Sequence, residues 1–341
     1  MRLPEFEHLQ PESLEEALDL LSEYREEAKV IAGGMELLVT MKHRLLSPHY
    51  LINLKEIPEL DFVTYEEERG LRIGALTRLA TLVRSPLVRE HFPVLAQAAR
   101  SVAAPPIQTM ATLGGNLCQD TRCFYYNQSE FWREARPGCF KSGGRVCHVA
   151  SGGDHCHSAY QGDLAPVLIA LDAQVKLASK EGRRTIPLLD LYTGKGEHPI
   201  GLAPGEVLIE IEVPLLVGLW GGDYQKLRYR GAMDFPLVGV AAVLSRNGGA
   251  CAQARIVVTA VGPAPVVLEE AGRLLERKVV DERSIAQAAE AAYEATHPVA
   301  RIGSTPRYRR KMVRVLARRA ILGTVGSREY EKANGSTDGQ R

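Results

Sequence analysis

The chain of 341 residues is 45 % hydrophobic and 24 % charged, the balance of an ordinary globular protein long enough for two or three packed units. Lys and Arg number 42 against 41 Asp and Glu, and a net charge of +1 argues against bulk nucleic-acid binding. The N-terminus lacks the basic-then-apolar order of a secretory signal, and the longest apolar run, FPLVGVAAVL at 235–244, is too short to span a bilayer. A soluble cytoplasmic protein is expected, in a compartment that disfavours stable disulfides.

In chain order, Ser13-Leu-Glu-Glu16 reads as a capping box opening a helix in which Leu14, Ala17, Leu18 and Leu21 recur at helical spacing. AKVIA at 28–32 reads as a strand running into Gly33-Gly34, ELLVTMKHR as a helix, and YLINL at 50–54 as a second buried strand. A second unit begins with LRIGALTRLATLVRS at 71–85: strand, glycine turn, then a helix with Thr77 as its N-cap. Residues 87–104 continue as helix until Pro105-Pro106 stops them, and TLGGNL at 112–117 reads as a strand or turn. An irregular cysteine-bearing stretch follows. Regular patterning resumes at DLAPVLIALDAQVKLAS (163–179), and EVLIEIEVP (206–214) is a strand. GLWGG at 218–222 suggests a hinge. Beyond it come the strand-like YQKLRYR, FPLVGVAAVLSR and ARIVVTAVG, then helices near 265–277, 282–296 and 306–321. Strands followed by helices predict an α+β domain with helices on one face. The basic run RYRRKMVRVLARR at 307–319 reads as a solvated helix face or a subunit contact, and the tail after Ser327 as polar and disordered.

Two glycine pairs, AGGMEL at 32–37 and TLGGNL at 112–117, each follow a strand-like segment. Glycine there lets backbone approach a ligand, and successive N–H groups can nest a phosphate. Neither pair fits G-x-G-x-x-G or the P-loop pattern, and either alone is more often a tight turn. Together with LRIGALTRLATL, GDLAPVLIALDAQV and KLRYRGAMDFPLVGVAAVL, in this order, they carry a resemblance over roughly residues 1–325. The chain resembles the FAD-binding medium subunits of the xanthine dehydrogenase and carbon monoxide dehydrogenase group of molybdenum hydroxylases.

The resemblance implies an α+β fold: a two-part FAD-binding domain of the vanillyl-alcohol-oxidase/PCMH type over 1–217, with subdomains at about 1–57 and 58–217. A C-terminal α+β domain, an antiparallel sheet with helices on one face, follows over 218–325, and a tail over 326–341. It further implies that Val30, Ile31, Ala32, Gly33, Gly34, Met35, Glu36, Leu37, Thr112, Leu113, Gly114, Gly115 and Asn116 cradle the FAD pyrophosphate. Asp163 and Lys226 match family positions nearer the flavin. Met35 and Glu36 depart from the family's usual Thr then Asp or Asn, and Gln108-Thr109 from its usual Arg-Asn; the backbone N–H groups remain available to FAD, while the family's side-chain contacts do not carry over.

Family members pass from TxGGN to the GD segment over a short loop, whereas here 46 residues separate Asn116 from Asp163 and carry Cys118, Cys123, Cys139, Cys147 and Cys156. A long irregular insertion is usually functional or disordered, and the aromatic content of this one, from Phe124 to Tyr160, opposes disorder. Intervals of 16, 8 and 9 from Cys123 onward contain no CxxC pair, so spacing leaves zinc and an iron–sulfur cluster open. A redox role beside FAD favours the cluster, because zinc carries no electrons.

CQDTRCFYYNQSEFW with three further cysteines resembles the β subunits of the 4-hydroxybenzoyl-CoA reductase branch of the family. That likeness implies a [4Fe–4S] cluster on Cys123, Cys139, Cys147 and Cys156, leaving Cys118 and Cys251 as core residues and His148, His155 and His157 as surface or supporting groups. It also implies an electron-transfer subunit with no catalytic residue of its own. Its partners would be a large molybdenum-cofactor subunit and a small subunit with two [2Fe–2S] clusters, assembled as (αβγ)2. Electrons would come from ferredoxin, for reductive dehydroxylation of an aromatic thioester in aromatic-compound catabolism. Two rivals stand beside it: the FAD subunit of another aromatic, N-heterocycle or aldehyde hydroxylase passing electrons to NAD or another acceptor, and a zinc-stapled interaction module with a vestigial flavin site.

Overall fold

Three sheets organise the chain in the computed structural model, which describes residues 2–216, 218–247 and 249–325. The first is parallel, in the order β1-β3-β2, from β1 (Glu7–Leu9), β2 (Ala28–Ile31) and β3 (Tyr50–Asn53). Helix α1 (Leu14–Tyr24) packs on it through Leu14, Ala17, Leu18 and Leu21, and the Ser13 hydroxyl accepts from Glu16 N at 3.2 Å as the capping box predicts. Helix α2 (Leu37–Lys42) follows the first glycine pair.

The second sheet is antiparallel, ordered β4-β5-β8-β6-β7, from β4 (Val63–Glu66), β5 (Gly70–Gly74), β6 (Gln174–Ser179), β7 (Gly182–Pro187) and β8 (Val207–Val213). Between β5 and β6 run α3 (Leu79–Arg84), α4 (Pro86–His91), α5 (Pro93–Ser101), α6 (Pro105–Gln108), α7 (Leu113–Leu117), α8 (Glu130–Glu134) and α9 (Leu164–Ala170). Several expectations are corrected here. Thr77 is not an N-cap: its hydroxyl donates to Phe62 O, and Arg78 stands at the start of α3 without a side-chain cap. Pro105-Pro106 opens α6, because proline's missing N–H costs nothing in a helix's first turn. TLGGNL is helical, with the Thr112 hydroxyl accepting from Gly115 N at 3.1 Å.

The third sheet, β12-β11-β10-β9, is antiparallel: β9 (Leu219–Leu227), β10 (Val238–Asn247), β11 (Ala250–Thr259) and β12 (Val266–Val267). GLWGG therefore lies in the start of β9, where Gly222 faces Val94, and not in a free hinge. Helices α10 (Glu269–Arg273), α11 (Glu282–Glu294) and α12 (Pro306–Val325) cover one face, meeting Val238, Val240, Ala242 and Leu244. The opposite face, Ala241 and Val243, packs with α9 and the core beneath the second sheet. Burial on both faces explains why β10 reads as a continuous apolar run. The basic face of α12 is not simply solvated: Arg310, Arg314 and Arg318 pair with Glu294, Glu290 and Glu282 of α11 at 2.8–2.9 Å, and Arg309 is fully buried on main-chain carbonyls. The tail beyond Val325 lies outside the described residues. Among those, no helix is long and apolar enough to cross a membrane.

The cysteine insertion begins and ends at one place. Arg122 N donates to Ala159 O at 2.8 Å and Ala159 N to Arg122 O at 3.1 Å, a two-way antiparallel bridge.

Candidate functional site

A cavity of about 570 Å³, within the range of small-molecule and cofactor sites, opens where the three sheets meet. Its first wall is the turn from β2 to α2, residues Val30 to Leu37; its second is the start of α7 with Thr112, Gly114, Gly115 and Asn116. The glycines set the spacing. A Cβ on Gly33 would overlap the Met110 carbonyl oxygen, so the two walls touch backbone to backbone. A Cβ on Gly114 would come within 2.9 Å of Ala75, whose carbonyl takes the Gly114 N–H at 2.8 Å.

Asp163, at the head of α9, closes one end of the cavity and is buried. Its Oδ2 meets Lys226 Nζ at 2.8 Å, and its Oδ1 accepts from Tyr224 Oη at 2.7 Å. Burial pushes the Asp163 carboxyl above the usual range, while Lys226 and Tyr224 pull it back. Asn116 Oδ1 accepts from Leu164 N at 3.3 Å, joining the second glycine wall to the same helix.

Of the residues expected around the cofactor, Leu113 and Lys226 do not line the cavity. Leu113 is fully buried in the core, and Lys226 stands behind Asp163, its ammonium shared with Ser101 O at 3.0 Å. Tyr224, Gln119, Arg122, Gln161 and the Met233–Phe235 turn were not anticipated. Tyr224 was findable, because residues two apart on a strand share a face and Lys226 was already singled out. Arg122 belongs to a loop with no period to read.

Glu36 replaces the polar residue usual in such a turn, and the structure gives it partners. Its Oε2 accepts from Asp120 N at 3.0 Å and its Oε1 lies 3.4 Å from Arg122 Nη1. Burial pushes its carboxyl up to about 7 despite both contacts. With the folded value above the ordinary one, the protonated form is the favoured one; that stabilisation is complete in the ordinary carboxyl range and is lost as pH rises through about 7. A dianionic pyrophosphate bound in this cavity, as the resemblance implies, would oppose ionisation further. FAD affinity, followed by flavin fluorescence, is expected to fall as pH rises through about 7, and Glu36→Gln to flatten that slope. An unchanged slope in the variant would assign the dependence elsewhere.

The insertion forms a second, smaller cavity. Cys123, Cys139, Cys147 and Cys156 all line it, with Tyr125, Tyr126, Phe140, Lys141, Val146, His148 and Ser158. Cys139 is set by a bridge to Val146, with Phe140 N donating to Val146 O at 3.0 Å. A Cβ on Gly144 would overlap the Gly138 carbonyl oxygen, so this hairpin closes only on glycine. Lys141 is nearly buried: its Nζ donates to Asp120 Oδ1 at 2.6 Å, Thr121 Oγ1 at 2.5 Å and Gly196 O at 2.9 Å. Thr121 Oγ1 lies 2.6 Å from Ser158 Oγ, itself 3.1 Å from Cys156 Sγ. All six cysteines are free. Among the described residues no three His, Cys, Asp or Glu side chains are gathered tightly enough to hold a single metal ion. His155 bonds to Asp154 and His148 Nε2 to Pro137 O, and Cys118, its thiol pushed up to about 12 by burial, lines the larger cavity beside Gln119.

Comparison with known proteins identifies the family. Residues 4–216 match the FAD binding domain in molybdopterin dehydrogenase, and residues 223–324 match the CO dehydrogenase flavoprotein C-terminal domain. The chain belongs to the FAD-binding medium-subunit family of the molybdenum hydroxylases. The medium subunit of nicotine 6-hydroxylase from Paenarthrobacter nicotinovorans is 32 % identical over 94 % of this chain and 98 % of its own length. The carbon monoxide dehydrogenase medium chain of Afipia carboxidovorans is 29 % identical over 93 % and 95 %. Among solved structures, carbon monoxide dehydrogenase from Hydrogenophaga pseudoflava superposes with a TM-score of 0.79 at 29 % identity, covering 95 % of this chain and 98 % of that one. Quinoline 2-oxidoreductase from Pseudomonas putida 86 gives 0.76 at 27 %, covering 95 % and 98 %. As a medium subunit, the protein is part of an oxidoreductase, with the fold expected from the sequence: an FAD-binding domain followed by an α+β domain.

Proposed function

We propose that this medium subunit binds FAD in the larger cavity and a [4Fe–4S] cluster on Cys123, Cys139, Cys147 and Cys156 in the smaller one. The carrying observation is that four cysteines from a 46-residue insertion line one cavity, and that Cys123 directly follows Arg122 of the flavin-cavity wall. The preference for a cluster over zinc rests on the redox role beside FAD, because zinc carries no electrons.

Bound FAD would supply one- and two-electron chemistry, and the cluster one-electron chemistry. The chain's own residues hold and shield them. The glycine backbone at 33–34 and 114–115 admits a pyrophosphate closely, Asp163 is a fixed acceptor oriented by Tyr224 and Lys226, and Tyr125, Tyr126 and Phe140 line the thiol cavity, in which Cys156 is buried and Cys123, Cys139 and Cys147 are half-buried. Substrate chemistry belongs to another chain. The partners proposed are a large molybdenum-cofactor subunit and a small subunit with two [2Fe–2S] clusters, in a doubled heterotrimer.

The relatives' names, nicotine 6-hydroxylase and quinoline 2-oxidoreductase, favour a complex oxidising an aromatic N-heterocycle and passing electrons to NAD or another acceptor. A second reading, reductive dehydroxylation of 4-hydroxybenzoyl-CoA with ferredoxin as donor, is favoured by the cysteine insertion alone. Turnover of the purified complex with each substrate class separates them. For the cluster, anaerobically prepared protein should hold about four iron and four acid-labile sulfide per chain. Cys139→Ser should lose the broad visible absorption while keeping the flavin bands. Zinc without iron would overturn the cluster and support a stapling role for the insertion.

A further inference from the structure

The insertion touches the flavin wall at both ends of α2. This helix has only six residues, too few to be stable alone, and its residues Leu37, Leu38 and Met41 face a small cluster with Ile31 and Leu51. At its N-terminal end Glu36 makes no side-chain cap; the carboxylate reaches instead to Asp120 N and Arg122 at the root of the insertion. The guanidinium of Arg122 lies 4.6 Å from the Phe235 ring, which lines the same cavity.

At the C-terminal end the chain turns with Arg44 in the left-handed region, φ 56°. Arg44 N donates to Met41 O at 3.0 Å and Leu45 N to Thr40 O at 3.1 Å, the Schellman pattern. The carbonyls just beyond it, His43 O and Arg44 O, accept from Arg133 Nη1 at 3.0 Å and Nη2 at 3.1 Å. Arg133 sits on α8 in the middle of the insertion and also bonds Gln128 O within it. One guanidinium thus joins the insertion's own fold to the end of the helix that follows the first glycine pair.

We propose that the cysteine insertion clamps α2, so that flavin binding and order in the insertion are coupled, with Arg133 the positioning residue of that coupling. The inference rests on the flavin reading of the larger cavity and is independent of what the four cysteines hold. Two states differ in defined contacts: clamped, with the Glu36 and Arg133 bonds made and the first glycine wall fixed; and loosened, with α2 held only by its apolar face. A ligand that needs the fixed wall favours the clamped state, and linkage makes the effect reciprocal: FAD must order the insertion as strongly as the insertion tightens FAD.

The experiment uses the full chain and FAD as probe. In the unmodified protein, saturating FAD should slow trypsin cleavage after the exposed Arg145 by about tenfold. In Arg133→Met, which leaves every cavity-lining side chain in place, the FAD Kd should rise about tenfold and the protection should vanish. Arg133→Lys, which keeps the charge but reaches one carbonyl, should recover part of both. The flavin's visible circular dichroism reports whether the wall itself has shifted. Equal Kd and equal protection in Arg133→Met would overturn the clamp while leaving the flavin site standing; an unmodified protein that binds no FAD would overturn both. Should Arg133→Met fail to fold, absence of FAD protection in the unmodified protein is by itself sufficient to overturn the proposal, and its presence together with an intermediate Arg133→Lys supports it.

Discussion

Lys226→Met is expected to destabilise the protein by about 3–5 kcal/mol, because it strands a buried carboxylate. The Lys226 and Asp163 side chains are only 5 % and 4 % exposed, and the pair ties β9 of the third sheet to the head of α9 in the flavin domain. Without the ammonium, Asp163 keeps only Tyr224 as a close partner. Burial already raises the Asp163 carboxyl with Lys226 present, so the variant raises it further. A raised carboxyl gives stability that is fully present at acid pH and lost as pH rises through its folded value. The deficit against the unmodified protein should therefore be smallest in acid and grow toward neutral pH, as read by urea denaturation at several pH values. Adding Asp163→Leu to Lys226→Met should restore much of the loss, since removing both charges spares the orphan. A single variant as stable as the original at neutral pH would remove the pair from the domain contact.

Gly33→Ala should abolish tight FAD binding, raising Kd at least about a hundredfold, equivalent to about 2.8 kcal/mol. The new Cβ meets main chain on the opposing wall: it overlaps the Met110 carbonyl oxygen and lies 2.9 Å from Met110 C and 3.0 Å from Ala111 Cα. No rotamer change relieves such a contact, so the two walls must part. Gly231→Ala, whose Cβ enters open space, is the matched control and should bind as the unmodified protein does. Equal affinities in the two variants would show that the close approach of the walls is not what shapes the site.

What the sequence made legible follows from which interactions are local. The N-cap at Ser13 and the apolar period of α1 are set within a few residues, and the structure repeats them; EVLIEIEVP is the expected strand, as β8. Crowding in the insertion singled out five cysteines and the family resemblance four of them; the fold brings Cys123, Cys139, Cys147 and Cys156 around one cavity. Pro105 misled because proline both ends helices and begins them, and only the chain before it decides which. Thr77 misled because its hydroxyl found a carbonyl fifteen residues earlier in sequence, Phe62 O, in place of its own helix. Glu36 stood out as a departure, but its partners are 84 and 86 residues away, and no periodicity links them. Arg133 reads in sequence only as one of the insertion's basic residues; its contacts gave no signal, since its partners are main-chain carbonyls that any sequence provides.

That last point bears on how such a chain is built. Because Arg122 and Ala159 pair across the neck of the insertion, the 36 residues from 123 to 158 leave and rejoin the host at a single rung. A segment with joined ends is a cassette: it can be gained, lost or transplanted in one step without moving the strands and helices on either side. Its midpoint anchor, Arg133, grips only peptide oxygens and so would dock on the homologous helix whatever side chains a recipient carried. The host side chains that bond it lie close to its two ends and in one loop: Asp120 and Thr121 accept from Lys141, and Glu197 accepts from Cys156 N. Moving the cassette to another medium subunit thus reduces to one excision point and the few host side chains that meet it.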